Sequence, residues 1–526
     1  MNRREFVSGL GAAVGAASVG AHGATVAKEP RKPNLIYVFA DQLRYQSCGY
    51  AGDEYARTPN MDRLAAESCN VHQAVSSTPV CAPYRASLMT GKYQSSTGMV
   101  INEIRLSPEH KCFGHVLTQS GYKTGYIGKW HLWANQLGHH NLIKNGFTPP
   151  GPYRLGFDGE WAAYNFNHFY LHSPYFLNNA EPHIRQGYEP DGQTDMAIDY
   201  VKRHAHGDEP FALFLSWGPP HYPWGLDNVD PKWSEQFRDV NIPLSPNYST
   251  QEDPYCDAWQ KLPKDFEKNI HDWMRTYYAQ TASLDANLGR LMRAVEAAGI
   301  ADDTVFVFTS DHGEMFGSHG RQAKLIFYEE AARIPFLVRW PKKISKKSVT
   351  DVPLCTPDIM PTLLSMMGLS IPDTVEGQDL SAALLQGKSG VKDVAHMQGM
   401  GATAAWTDGS EWRALRDNEY TYAVYRKDGK ELLFHNRRDP YQTVNLAEDR
   451  GADATLRHYR EVSKQWRKEQ NDTFEACSWY ERWTKDRNIV NTAKGVTQDL
   501  DALHRITAKY IPESVAEKPV SQWPVG

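Results

Sequence analysis

Four short apolar runs, each cut off by polar residues, limit what this chain can fold into. They are 34–40, followed by Asp41-Gln42; 124–127, followed by Gly128-Lys129-Trp130-His131; 211–217, followed by Gly218-Pro219-Pro220-His221; and 304–309, followed by Ser310-Asp311-His312-Gly313. Runs this short, apolar throughout and rich in β-branched and aromatic residues, read as strands buried on both faces. Helical patterns lie between them. Thr58-Pro59 forms an N-cap and first-turn pair opening a helix over 60–68. The stretch 271–298 repeats Met274, Tyr277, Leu284, Leu288, Leu291 and Val295 at helical spacing and stops at Gly299. Strands alternating with helices predict an α/β fold, with a large, mostly parallel sheet sandwiched by helices. Ligands of such sheets bind beyond the carboxyl ends of the strands. Two carboxylates, a lysine and three histidines then converge on one edge.

Composition removes several functional classes. The net charge of −5 over 526 residues gives no basic face for nucleic acid. The 15 Trp and 27 Tyr suit a sugar-lined pocket or a core, and most are assigned here to the core. Arg3-Arg4, then Phe6, a short stretch rich in Gly and Ala and small residues at 21–27 form a twin-arginine export signal over 1–28. Its apolar part is too short to span a bilayer, and no other segment reads as a membrane span. The chain is therefore expected in the periplasm, with the twin-arginine translocase as a partner. Seven cysteines show no CxxC spacing, and their odd number leaves at least one thiol unpaired. A chain that folds in a reducing compartment before export gives no reason to pair the other six.

The character changes after the catalytic region, taken as 33–386. Residues 387–392 read as a linker. Short strands at 402–406, 413–415, 420–425 and 431–434, separated by Asp-Gly and Asp-Asn turns, predict an antiparallel subdomain over 393–470, with a helix at 452–469. The tail 471–526 carries no assignment, and the lysine-rich stretch 341–347 reads as a solvated loop.

Cys81-Ala82-Pro83-Tyr84-Arg85, with Leu88-Met89-Thr90-Gly91 at the right distance, resembles the sulfatase signature C-x-P-x-R-x-x-x-x-T-G. The segment 121–131, ending Gly128-Lys129-Trp130-His131, resembles the second signature of that family. Asp311-His312-Gly313, Lys324 followed by Tyr328-Glu329, and Arg437-Arg438-Asp439-Pro440 leading to Asn445-Leu446 fit as well. These matches run from about 34 to 446. The resemblance implies the alkaline phosphatase-like fold and a sulfuric ester hydrolase. It also implies that a formylglycine-generating or anaerobic sulfatase-maturating enzyme converts Cys81 to formylglycine, whose hydrate is the nucleophile. A thiolate attacking a sulfate ester would end as a stable thiosulfate. A gem-diol forms a covalent sulfo-enzyme and then expels sulfate by reforming the aldehyde. Tyr84 replaces the small residue usual at that position.

The same resemblance assigns the other roles. Arg85 holds the formylglycine oxygens. Asp41, Gln42, Asp311 and His312, with the group at Cys81, hold a divalent cation, usually calcium, and mostly oxygen ligands suit a hard ion. Gln42 stands where many relatives carry Asp. Lys129 and Lys324 hold the sulfate. His131 bonds the diol and helps deprotonate it. His221 is the general acid for the leaving oxygen, with Lys324 sharing that role. Trp161, Asn165, Asn167 and His168, with Arg413 from the C-terminal region, are candidate sugar contacts; a buried aromatic loop is the alternative for the first four. Export fits an exo-acting sulfatase working on sulfated carbohydrate derived from polysaccharide. The alternatives are a phosphonate or phosphate monoester hydrolase or an arylsulfatase of the same superfamily, or a non-catalytic glycan-binding relative.

Overall fold

The computed structural model describes residues 31–522, apart from 136–137, 140, 345–347, 404, 406 and 481–505. The twin-arginine segment lies outside the described residues. Among them, no helix is long and apolar enough to cross a membrane, and all seven cysteines are free thiols.

The main sheet has eight strands: β1 (Asn34–Ala40), β2 (Cys69–Val71), β3 (Lys123–Lys129), β4 (Glu160–Tyr164), β5 (Phe211–Trp217), β6 (Thr304–Ser310), β7 (Phe336–Arg339) and β8 (Ser348–Thr350). Their spatial order is β8-β2-β7-β6-β1-β5-β3-β4. The run β6-β1-β5-β3-β4 is entirely parallel. Only β7 runs against its neighbours. Period-two alternation splits β1 between two cores. Leu35, Tyr37 and Phe39 join one apolar cluster, and Ile36, Val38 and Ala40 join the other. Each large apolar side chain buried this way contributes roughly 1.5–3 kcal/mol.

Helices cover both faces. On the first lie α2 (Cys81–Thr90) and α5 (Thr356–Met366). On the second lie α1 (Pro59–Ala66), α3 (Glu189–His204) and α4 (Phe266–Ala297). The four expected strands are present, β3 and β6 being slightly longer than their apolar runs. Helix α4 starts at Phe266, ahead of the 271 read from the periodicity, because Phe266 and Ile270 are already buried in an adjoining aromatic cluster.

A four-stranded antiparallel sheet follows: β9 (Ala395–Gly399), β10 (Trp412–Arg416), β11 (Tyr420–Tyr425) and β12 (Glu431–His435), with α6 (Asp453–Glu469) beside it. One expectation fails here. The first strand is not 402–406, whose described residues form no strand, but Ala395–Gly399. Its polar members do not form an exposed face, since Gln398 is fully buried and His396 half-buried. Gln398 bonds to Ser95 and Asp472. Gly399 leaves space for the Trp412 ring, where a Cβ would lie 2.2 Å from the indole. Lys392, at the end of the expected linker, is buried against Asp358 and Cys355. The tail is partly accounted for. Ile511 and Val515 pack with Ile143, Phe147 and Phe176 of the main body, and Pro519 bridges to Leu142.

Candidate active site

The parallel strands deliver their last residues to one edge. Asp311 donates its backbone N–H to Ala40 O at 3.2 Å, and the backbone N–H of Gln42 bonds to the Asp311 carboxylate at 3.0 Å. The turn after β1 needs a left-handed residue, and Gln42 supplies it with φ 69°. Gly128, at φ +105°, lets β3 pass so close to β5 that a Cβ would lie 1.9 Å from Ser216 O. Lys129 is thereby brought inward.

Cys81 is the first residue of α2 and is 1% exposed. Its sulfur lies 3.2 Å from Lys324 Nζ, 3.3 Å from His312 Nε2 and 3.5 Å from Asp41 Oδ1. The positive end of the helix dipole favours an anion there. Arg85 follows one turn later on the same face. It bridges the Asp41 and Asp311 carboxylates at 3.2 and 3.3 Å and donates to Lys129 O and Ser216 Oγ at 2.7 and 2.8 Å. Lys129 Nζ lies 2.6 Å from Asp41 Oδ2. Lys324 Nζ also donates to Gln42 Oε1 at 2.7 Å, while the Gln42 amide donates to Glu314. Nδ1 of His221 is held by Tyr222 O at 2.8 Å, and Nε2 lies 4.0 Å from Asp41 Oδ1. His131 is buried over Phe166, with neither ring nitrogen bonded to protein among the described residues.

Burial and crowding set the charges. Burial would raise the Asp41 carboxyl, but Lys129, His221, Lys324 and Arg85 hold it well below the usual range. Burial and the neighbouring Asp41 charge push Asp311 up to about 6. Burial and Asp41 push the Cys81 thiol up to about 11, so it is no thiolate nucleophile at neutral pH. Burial keeps His131, His221 and His312 below the usual histidine range, aided by Lys129 for the first and Lys324 for the other two.

Asp41, Cys81, Asp311 and His312 each offer one ligand atom, all within 4.8 Å of one another. Two carboxylates that resist joint ionisation are what a divalent cation relieves, so this set fits one. Arg85, Lys129 and Lys324 then exceed the two carboxylates and leave positive charge for an anionic substrate.

The family model for sulfatases matches residues 33–369, and the model for the C-terminal region of N-sulphoglucosamine sulphohydrolase matches 317–471. The chain belongs to the sulfatase family. It is 36% identical over 422 residues to an ulvan-active sulfatase from Formosa agariphila, covering 80% of this chain and 78% of that protein. It is 29% identical over 491 residues to an endo-4-O-sulfatase from Bacteroides thetaiotaomicron, covering 83% and 92%. A solved structure from Bacteroides fragilis, assigned as a sulfatase, superposes with a TM-score of 0.75 at 31% identity, covering 87% of this chain and 99% of that one. The protein is thus a sulfuric ester hydrolase of the alkaline phosphatase-like fold.

Cys81, Arg85, Lys129, Asp311, His312 and Lys324 of the sulfatase signatures meet in one place, whereas Glu329, Arg437 and Pro440 line a separate cavity and the expected sugar contacts do not gather at the site. Trp161 is buried, stacked on Tyr126 and packed edge-on to Trp130. Both ends of the Asn165 amide are committed to the backbone of Trp133 and Asn145. Asn167 closes its own turn on Phe169 O. Arg413 is buried and paired with Asp472. Only His168 reaches the site, its ring stacked on His221 at 4.1 Å. Sequence reasoning missed Glu314, which directly follows Asp311-His312-Gly313 and which burial pushes up to about 7. It also missed a pocket of about 280 Å³ walled by Tyr222, Trp224, Trp259 and Trp273. The ammonium of Lys324 lies 5.8 Å from the rings of both Tyr222 and Trp259, which joins this pocket to the sulfur of Cys81.

Proposed function

We propose that this sulfatase removes sulfate from a sulfated carbohydrate, using formylglycine formed at Cys81 and a bound calcium ion. The observation that carries this reading is the placement of Cys81 Sγ, at the start of a helix and in contact with Lys324, His312 and Asp41 at once. A buried thiol pushed up to about 11 is a poor nucleophile, so an unmodified Cys81 does not account for attack on a sulfate ester. Formylglycine, once formed, supplies a hydroxyl that attacks sulfur and a second that releases sulfate.

The chain's own residues do the rest. Arg85 and Lys129 hold the atoms around position 81, and Lys129 and Lys324 balance charge growing on the sulfate. Asp41, Asp311 and His312 would hold the cation, with Gln42 beside them, and the ion would polarise the sulfate. His221 keeps Nδ1–H on Tyr222 O, which leaves Nε2 for the departing oxygen; burial and Lys324 keep that nitrogen unprotonated in the free enzyme, so it serves as the acid only after taking up a proton that the negative charge of the bound sulfate favours. Among the described residues His131 has both nitrogens unpartnered, as suits a group that bonds only to a ligand. The sugar would stand on the aromatic walls of the pocket beside Lys324. Sugar substrates draw support from the ulvan-active and endo-4-O relatives. Exo action on chain ends is part of the same proposal. Maturation by a formylglycine-generating or anaerobic enzyme, twin-arginine export to the periplasm, and the division into 33–386, 393–470 and a tail belong to the same proposal.

The test is to express the chain with a maturation enzyme and assay 4-nitrophenyl sulfate, a phosphate diester and ulvan oligosaccharides side by side, with the mass of the Cys81 peptide measured. Exchange of sulfur for oxygen with loss of hydrogen, and faster release of sulfate than phosphate, are expected. Full activity from an unmodified thiol would refute the mechanism.

A further inference from the structure

Each oxygen of Glu314 serves a different part of the site. Glu314 is 1% exposed and directly follows Asp311-His312-Gly313. Its Oε1 accepts the backbone N–H of Ala323 at 2.7 Å and that of Phe316 at 3.2 Å. With the Met315 N–H on Ala323 O at 2.9 Å, these bonds close the loop 315–323 at its neck, and Lys324 is the next residue. Phe316 and Ala323 sit at φ 46° and 62°, a conformation that residues other than glycine keep only where surrounding bonds hold them. Its Oε2 accepts from the side-chain amide of Gln42.

That second bond decides which way the Gln42 amide points. The backbone of Gln42 is already fixed, its N–H on Asp311 at 3.0 Å and its carbonyl under the Tyr277 hydroxyl at 2.7 Å. Only the side chain is left to orient. A primary amide has one accepting end and one donating end. The Lys324 ammonium can only donate, and it lies 2.7 Å from Gln42 Oε1. An ionised carboxylate can only accept, and Glu314 takes the Nε2 end. Turned round, the amide would set N–H against ammonium and carbonyl against carboxylate. The chain from Glu314 through Gln42 to Lys324 therefore runs one way only, and it ends 3.2 Å from Cys81 Sγ. Burial raises the Glu314 carboxyl, and the Phe316 and Ala323 N–H groups and the Lys324 charge act against that rise. An acid at position 42 would face Glu314 with no donor between the two carboxylates.

We propose that Glu314 is a positioning residue, which fixes the Gln42 amide with its oxygen toward Lys324 and so holds the Lys324 ammonium beside the group at position 81. Its effect on rate rests on the reading of Lys324 as a sulfate-holding group.

The test swaps the pair. Glu314→Gln keeps an oxygen for the two backbone N–H groups but turns a donor toward Gln42. Gln42→Glu turns an acceptor toward Glu314. The double variant exchanges donor and acceptor at unchanged net charge. Crystal structures of the unmatured chains give the distance from Lys324 Nζ to residue 42, and the matured chains are assayed with 4-nitrophenyl sulfate. In Glu314→Gln the 2.7 Å contact should open beyond about 3.5 Å. Its kcat/KM should fall about tenfold to a hundredfold, the weight of one charge-assisted hydrogen bond. The double variant should restore the contact and run at least about fivefold faster than Glu314→Gln and faster than Gln42→Glu. A purely structural carboxylate would show no such rescue. A Lys324 contact kept in Glu314→Gln, or absent again in the double variant, would overturn the proposal. Where Glu314→Gln is slow, a double variant no faster, or Gln42→Glu alone as fast as the double, would overturn it too. A Glu314→Gln chain that fails to fold where the double variant folds would support the pairing, and failure of both would overturn it. A lost contact with the rate of Glu314→Gln within about twofold of the parent would leave Glu314 in its role and remove Lys324 from sulfate binding. If the matured parent does not hydrolyse 4-nitrophenyl sulfate, the sulfatase mechanism fails on its own, and the crystal structures still decide Glu314.

Discussion

The carboxyl edge of the parallel sheet and the small C-terminal sheet both bury charge, but they close it differently. In the C-terminal sheet each buried arginine meets one acid, although Arg333 also approaches the acid of Arg416. Arg413 grips Asp472 through two nitrogens, and Arg416 meets Glu329 while Gln73 takes two more of its N–H groups. At the edge, Asp41 is shared by Arg85 and Lys129, with Cys81 and His221 close by, and Asp311 is pushed up to about 6 by burial and by Asp41. Closed pairs cement one packing arrangement. Crowded, mismatched charges are tolerated where a ligand completes them. Burial of charge therefore does not mark a site, whereas incomplete pairing does.

The largest expected effects fall on the crowded edge. Cys81→Ala should reduce turnover of every sulfate ester by at least ~10⁴-fold, since the nucleophile is gone and binding alone remains. Its thermal midpoint should stay near the parent's, because the position buries only a small group. Asp41→Ala or exhaustive chelation should match that loss in turnover, and added calcium should restore the chelated enzyme but not the variant. Unchanged rates after chelation, with no metal by elemental analysis, would break the reading of the Asp41, Asp311 and His312 cluster.

A step lower come the residues that handle sulfate and proton. Lys129→Ala should slow aryl and sugar sulfates alike, by ~10²–10³-fold, because it holds the group common to both. His221→Ala should cost ~10²–10⁴-fold on a sulfated sugar and far less on 4-nitrophenyl sulfate, whose phenolate leaves unaided. The readout is a pair of rate ratios. Equal losses on both substrates would reduce His221 to a sulfate ligand and move the acid role to Lys324.

The closed pairs predict the reverse pattern. Arg413→Ala leaves the Asp472 charge buried without a cation, held only by Gln398 and the Phe474 backbone N–H, which should cost ~3–5 kcal/mol of stability and lower the thermal midpoint. The kcat of the molecules that remain folded should not change. A fall in kcat or a raised KM at full folding would break the contrast and return Arg413 to the sugar contacts predicted from sequence.

The two regions also differ in how far the sequence reveals them. Parallel strands buried on both faces are continuous apolar runs, so β1, β5 and β6 and the residues at their ends are visible without coordinates. The antiparallel β9 is hidden because His396 and Gln398 lie inside, where their partners Trp466, Ser95 and Asp472 come from distant segments. Glu314 adjoins a recognised motif but becomes meaningful only once Gln42 is known to bond it. Tyr222, Trp259 and Trp273 share a pocket through tertiary packing, and their spacing carries no trace of it.

The smallest effect tests an error of the same kind. From sequence, Trp161 could be a sugar platform or a core aromatic, since an indole looks the same in either place. It is 3% exposed, stacked on Tyr126 at 5.4 Å with the Arg154 guanidinium 4.5 Å from its ring. Its indole nitrogen has no partner among the described residues, so removing that nitrogen breaks none of their hydrogen bonds. Trp161→Phe keeps an aromatic ring in the stack and loses only the second ring's packing, about 1–3 kcal/mol for a change of core shape. The KM for an ulvan oligosaccharide should then stay within about twofold of the parent, because a buried ring touches no substrate. A sugar platform would behave differently, as losing part of a stacking face costs about 0.5–1.5 kcal/mol of binding, or roughly a two- to twelvefold rise in KM. A rise at the upper end of that range, with the thermal midpoint unmoved, would show that Trp161 faces the substrate after all.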